Sequence, residues 1–91
     1  MKTFKEANRT RDFAISSEIF LKPETSAEMI REASLLLKNH VDGILVTDNQ
    51  FGQLHMSTLA AAALLIGNGV DPIVQLACRN RNRIALLSEL L

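Results

Sequence analysis

The chain has 91 residues, with ten Lys and Arg against ten Asp and Glu, a formal charge of zero and a pI near 6.7. That length holds one small domain, and a neutral chain lacks the electrostatic footprint of a general nucleic-acid or membrane-surface binder. Hydrophobic residues are 47% and charged residues 22%, which argues against disorder. With four Phe, no Trp and no Tyr, a base-stacking platform is not expected. Cys78 is the single cysteine, so an internal disulfide is excluded, and with only His40 and His55 beside it no metal site is expected. The longest apolar run, 59–66, falls well short of the roughly 18 residues of a membrane span. The polar opening, 1–12, has no apolar stretch of the signal-peptide kind. A cytoplasmic, reducing setting is the expectation.

After the polar segment 1–12, the run 13–21 reads as a first strand. A helix follows from Thr25, whose hydroxyl is expected to cap it while Glu28 closes a capping box. Ile30, Ala33, Leu37 and Val41 recur at three- and four-residue steps and form its buried face. Asp42 and Gly43 end that helix and open a second strand over 43–47. The next helix starts near Ser57 and stops at Asn68 and Gly69, a left-handed exit, before Pro72. The third strand takes 72–77. A third helix begins around Arg83, with Ile84, Leu87 and Leu91 along one stripe.

Strands starting near 13, 43 and 72 are about 30 residues apart, the length of one βα unit. Strand–helix alternation of this kind predicts parallel strands. Two architectures repeat the unit, the doubly wound sheet and the (β/α)8 TIM barrel. A doubly wound nucleotide-binding domain usually carries a glycine-rich phosphate loop in its first βα turn. Here that turn is Lys22, Pro23, Glu24 and Thr25, without glycine, so the barrel is favoured. A barrel of eight units needs roughly 250 residues. The fold class expected is therefore α/β, the first three units of an incomplete barrel, broken off in its third helix.

Alternation along the strands sets the faces. Phe13, Ile15, Ser17, Ile19 and Leu21 share the face expected to lie under helices. Glu18, Thr47 and Gln75 share the other, near the C-terminal strand ends where barrel enzymes carry their sites. The plain alternative is that this second face meets solvent and Glu18 is a surface residue. The loop 48–56 exceeds an ordinary βα connection, which favours a functional loop. Arg79, Arg81 and Arg83 precede a helix N-terminus and oppose its dipole, so an anion or a nearby carboxylate must compensate them. His40 reads as a helix C-terminal cap, His55 as an exposed loop residue, and Met29, Met56 and Cys78 as packing residues.

The stretch Val41-Asp42-Gly43-Ile44-Leu45-Val46-Thr47-Asp48-Asn49, then residues 56–62, then Gln75 through Cys78-Arg79-Asn80-Arg81-Asn82-Arg83 and on to Leu86, resembles the N-terminal part of methylenetetrahydrofolate reductases. Ser17-Glu18-Ile19 matches the first-strand motif of that family. The likeness runs from about Phe13 to Leu91. It implies a TIM barrel that binds FAD and reduces 5,10-methylenetetrahydrofolate to 5-methyltetrahydrofolate with electrons from NAD(P)H. By position, Glu18 matches the general acid that protonates a folate nitrogen. Thr47 and Asp48 match positions contacting nicotinamide or flavin, and Gln50 and Gln75 match further flavin contacts. Departures exist: Phe20-Leu21-Lys22-Pro23 stands where many members have a double proline, Asn80 where Asp is frequent, and His55 where Arg is frequent.

The resemblance makes 13–91 the N-terminal portion of such an enzyme, with folate, NAD(P)H and the rest of the barrel or other copies of the chain as partners. A complete form is expected to be a homo-oligomer, with neither nucleic acid nor membrane as partner. The alternative is a non-catalytic fragment or assembling subunit. A small βαβ module binding an anion through residues 79–83 is a third reading.

Overall fold

The computed structural model describes residues 3–10 and 13–91. Its elements, in chain order, are α1 (Phe4–Thr10), β1 (Ser16–Ile19), α2 (Ala27–Leu37), β2 (Gly43–Val46), a 3₁₀ turn (Gln50–Gly52), α3 (Thr58–Gly67), β3 (Pro72–Val74) and α4 (Arg83–Leu90). The three strands form one parallel sheet in the order β1-β2-β3. Among the described residues the protein is thus an α/β chain with three parallel strands and four helices, and from β1 to α4 these alternate as the spacing predicts.

One face of the sheet carries the core. Ile44 and Val46 of β2 are fully buried against Ile30 of α2 and Ala61, Ala62 and Leu65 of α3. Central β2 therefore reads as a nearly continuous apolar run, as a parallel strand covered by helices should. Leu21, also fully buried, closes the cluster at the end of β1. Ile30, Ala33 and Leu37 are buried or half-buried, as their spacing requires; Val41 is half-buried too, but it lies beyond the end of α2 rather than on its face. Ser34 joins them because its hydroxyl donates to Arg31 O (2.8 Å) and accepts from Asn68 Nδ2 (3.1 Å), tying α2 to the end of α3.

Several local expectations need correction. Phe13 and Ile15 precede β1 and are 71% and 47% exposed, so they do not lie under the helices. The capping box does not form. Ser26 caps α2 by accepting from Met29 N, Thr25 Oγ1 instead accepts from Lys22 N in the preceding turn, and Glu28 pairs with Arg31 at the surface. Helix α2 stops at Leu37, before Asp42 and Gly43. The exit of α3 is as expected, with Gly69 at φ +80°. Ser57 stands at its N-cap position, although its side chain makes no capping bond. Strand β3 is shorter than its apolar run. Helix α4 is capped by Asn82, whose Oδ1 accepts from Ala85 N, yet Ile84, Leu87 and Leu91 are exposed.

The opening segment is not a plain polar lead. Its described part is largely helix α1, whereas residues 1–2 and 11–12 lie outside the described residues. Phe4 packs over Gly43, on the sheet face opposite the core, and Phe4 N donates to Asp71 Oδ2 at 2.7 Å. A Cβ on Gly43 would sit 3.0 Å from Phe4 Cδ1, 3.1 Å from Ile73 Cδ1 and 3.2 Å from Phe4 Cβ. Gly43→Ala is therefore expected to force Phe4 and Ile73 to yield by a few tenths of an ångström and to loosen the seat of α1, at a cost of about 1–3 kcal/mol. A lower melting temperature, with faster exchange of the Phe4 amide, would show it; an unchanged Phe4 amide would mean that α1 docks elsewhere.

Candidate functional site

The loops after β2 and β3 meet at the C-terminal ends of the strands and enclose a cleft of about 690 Å³. Asp48, Asn49, Gln50, Phe51 and Gly52 supply one wall, and Gln75, Leu76, Ala77, Arg79 and Asn80 the other. Parallel strands release their loops at the same end, which is why residues 27 positions apart in the chain face each other.

Asp48 joins the walls. It is 4% exposed, and both carboxylate oxygens are occupied. Oδ1 accepts from Thr58 Oγ1 (3.1 Å) and Arg81 Nη2 (3.1 Å); Oδ2 accepts from Ala77 N (2.6 Å) and Arg81 Nη1. Arg81 Nη1 also donates to Ala77 O at 2.9 Å. The Arg81 guanidinium, with lesser help from Ala77 N–H and the Thr58 hydroxyl, holds the Asp48 carboxyl below the usual range against the opposing effect of burial. Arg81 is raised in turn, chiefly by Asp48. This fork-to-carboxylate pair gives Arg81, one of the three arginines of the run, the carboxylate partner expected, and it fixes the β3–α4 loop to the end of β2.

The β2–α3 loop is shaped by left-handed backbone at Asn49 (φ 51°), Phe51 (φ 60°) and Gly52 (φ 71°). Non-glycine residues seldom adopt that region, so the turn needs bracing. His55 supplies it. Its Nε2 accepts from Asn49 N at 2.7 Å, so Nδ1, 2.5 Å from Met56 O, is the protonated nitrogen. Asn49 Nδ2 adds a bond to Gln53 O at 2.8 Å. His55 is half-buried, a loop latch rather than the exposed residue expected. The turn presents Phe51 to solvent and stacks it on Phe20 with ring centroids 6.1 Å apart.

The predicted residues fall into separate places. Gln50 and Gln75 line the cleft with Asp48, although Asp48 spends its acceptors on protein partners. Thr47 is fully buried and does not line the cleft; its Oγ1 accepts from Leu21 N at 2.9 Å, prolonging the β1–β2 pairing. Glu18 is exposed on β1, in register with Leu45 and Ile73. Thr47 and Gln75 lie two residues further along their strands, so Glu18 sits about 7 Å deeper along the strand direction. The residue level with them on β1 is Phe20. Cys78 is exposed, not packed, and Met29 is 46% exposed at an apolar groove beside Ile19 and Phe20; Met56 does pack against the core.

Among the described residues, no three His, Cys, Asp or Glu side chains are grouped to hold a metal ion, and no helix is long and apolar enough to cross a membrane. Fold and site together define an α/β chain with a cleft at the C-terminal ends of parallel strands. Compared with known protein families, curated proteins and solved structures, the chain matches none.

Proposed function

We propose that these residues are the first three βα units of a flavin-dependent TIM barrel of the methylenetetrahydrofolate reductase type, acting in the cytoplasm on folate with NAD(P)H. The observation that carries this reading is one juxtaposition. The two blocks that resemble the family, around 48–50 and 75–80, form the opposite walls of a single cleft at the C-terminal strand ends. That is the end at which barrel enzymes work.

The cleft fits a flavin in chemistry. Gln50 and Gln75 offer amide donors and acceptors for a planar heterocycle, Phe51 offers an aromatic face, and the volume suits a cofactor-sized ring. Bound flavin would supply the hydride. Thr47 and Asp48 serve this site through the frame: Thr47 orders the end of β1, and Asp48 holds the Gln75 wall in place. Glu18 lies on the same sheet face, deeper than the cleft, where a proton donor can reach a folate nitrogen from below. A general acid must hold its proton at neutral pH until the reaction takes it, which a water-excluded setting favours, and closure of the barrel over this face would provide that setting.

The outer edges of β1 and β3 have no strand partner among the described residues, and Leu45 and Ile73 are only half-buried on the face opposite the core. Further strands would cover both features. The test is the complete polypeptide, including whatever follows Leu91 in frame. It should purify with flavin absorbance, oxidise NAD(P)H, and convert methylenetetrahydrofolate to the methyl form. Absence of flavin binding in the complete, folded polypeptide would overturn the reading.

A further inference from the structure

The arginine run was one feature in the sequence, and the structure splits it into three roles. Arg81 is committed to Asp48 and Ala77 O. Arg83 opens α4, is exposed, and lies outside the cleft wall. Arg79 lines the cleft, next to Asn80.

Charge inside the cleft follows from that division. Among the described residues lining it, only Asp48 and Arg79 are ionic. Asp48 is neutralised by Arg81, with both oxygens filled. Arg79 makes no ion pair among the described residues. A ligand in this cleft therefore meets neutral amides from Asn49, Gln50, Gln75 and Asn80, an aromatic ring, and one positive charge on the β3–α4 wall. We propose that Arg79 is the anion-binding residue of the cleft and takes a phosphate oxygen of the flavin nucleotide, with the Asn80 amide as its neighbouring donor. The inference rests on the flavin reading above and adds to it the end of the cleft at which the charged tail lies.

Physical chemistry favours Arg79 for this task. A guanidinium presents several donors in a plane and binds phosphate in a two-pronged way, whereas the amides beside it can hold a ring but not neutralise a charge. The clamp at Asp48 and Ala77 fixes the loop just before Arg79, so the side chain is delivered from an ordered backbone.

Binding of riboflavin, FMN and FAD to the complete polypeptide, followed by flavin fluorescence, tests this, with inorganic pyrophosphate as competitor. FMN and FAD should bind more tightly than riboflavin, and Arg79→Gln should weaken both by roughly tenfold or more while leaving riboflavin unchanged. Arg79 is exposed, so the variant should keep its circular dichroism and melting temperature. Rescue by Arg79→Lys in part, through charge alone, would support the assignment. Equal affinity for all three flavins, unaffected by Arg79→Gln, would overturn it and leave the flavin reading standing. Pyrophosphate binding that depends on Arg79, with no flavin bound, would overturn the flavin reading and keep the anion site. Binding of neither would overturn both.

Discussion

Asp48→Ala is expected to destabilise the chain by about 3–5 kcal/mol, because it leaves the Arg81 guanidinium without its carboxylate in a mostly buried position. It also strips the acceptor from Ala77 N and one partner from Thr58 Oγ1. Small domains have only about 5–15 kcal/mol in reserve, so this variant should lose a large share of its stability and melt well below wild type. Asp48→Asn is the milder version. It keeps the shape and can still accept one bond, but it loses the charge-assisted pair, a cost of about 1.5–3 kcal/mol.

The pH dependence has a definite sign. The folded-state Asp48 pKa lies below its ordinary value, so the folded chain binds this proton less readily than the unfolded chain. Its contribution is fully present above the ordinary aspartate range, about pH 4, and is lost as pH falls through the lower folded value. Urea midpoints at pH 7 should therefore separate wild type from Asp48→Asn, and the gap should close in strong acid. A gap that stayed constant down to strong acid would show that the carboxylate's charge contributes nothing.

In the complete polypeptide, Glu18→Gln should slow folate reduction by roughly 10²- to 10⁴-fold, the range over which a positioned general acid acts. Nicotinamide-dependent flavin reduction should change little, since no folate nitrogen is protonated in that half-reaction. Glutamine keeps the size and the hydrogen-bonding shape while removing the transferable proton. Because Glu18 is exposed on a strand face and makes no core contact, the substitution should not unfold the chain. Stopped-flow measurement of the two half-reactions distinguishes the cases. Equal loss in both would make Glu18 a structural residue and remove it from proton transfer.

Regular patterns were legible in the chain itself. The 30-residue recurrence gave parallel strands, the three- and four-residue steps gave the buried side of α2, and Asn68-Gly69 gave the exit of α3. Alternation correctly put Glu18 opposite the core, but it overlooked the register that sets Glu18 deeper than Thr47 and Gln75. The capping box failed because two neighbouring hydroxyls, Thr25 and Ser26, could each cap the helix, and the turn at Lys22 took the first. Helix α1 escaped notice because a seven-residue polar segment has too little periodicity of its own. Its position depends on Phe4 finding the space that Gly43 leaves in β2. Alternation put Phe13 and Ile15 on the helix-covered face, yet they precede β1 and stay exposed, because burial depends on what lies over a residue.

By itself the amino-acid order determined the alternation of β1, α2, β2, α3, β3 and α4, though not α1, and that the strands run parallel, because hydrophobic periodicity and turn chemistry act over a few residues. Only the tertiary structure decided that Arg81, not Arg79 or Arg83, neutralises Asp48, and that His55 latches a left-handed loop. Those contacts join residues brought together by the sheet, and Coulomb and hydrogen-bond energies depend on distances in space that one-dimensional spacing does not contain.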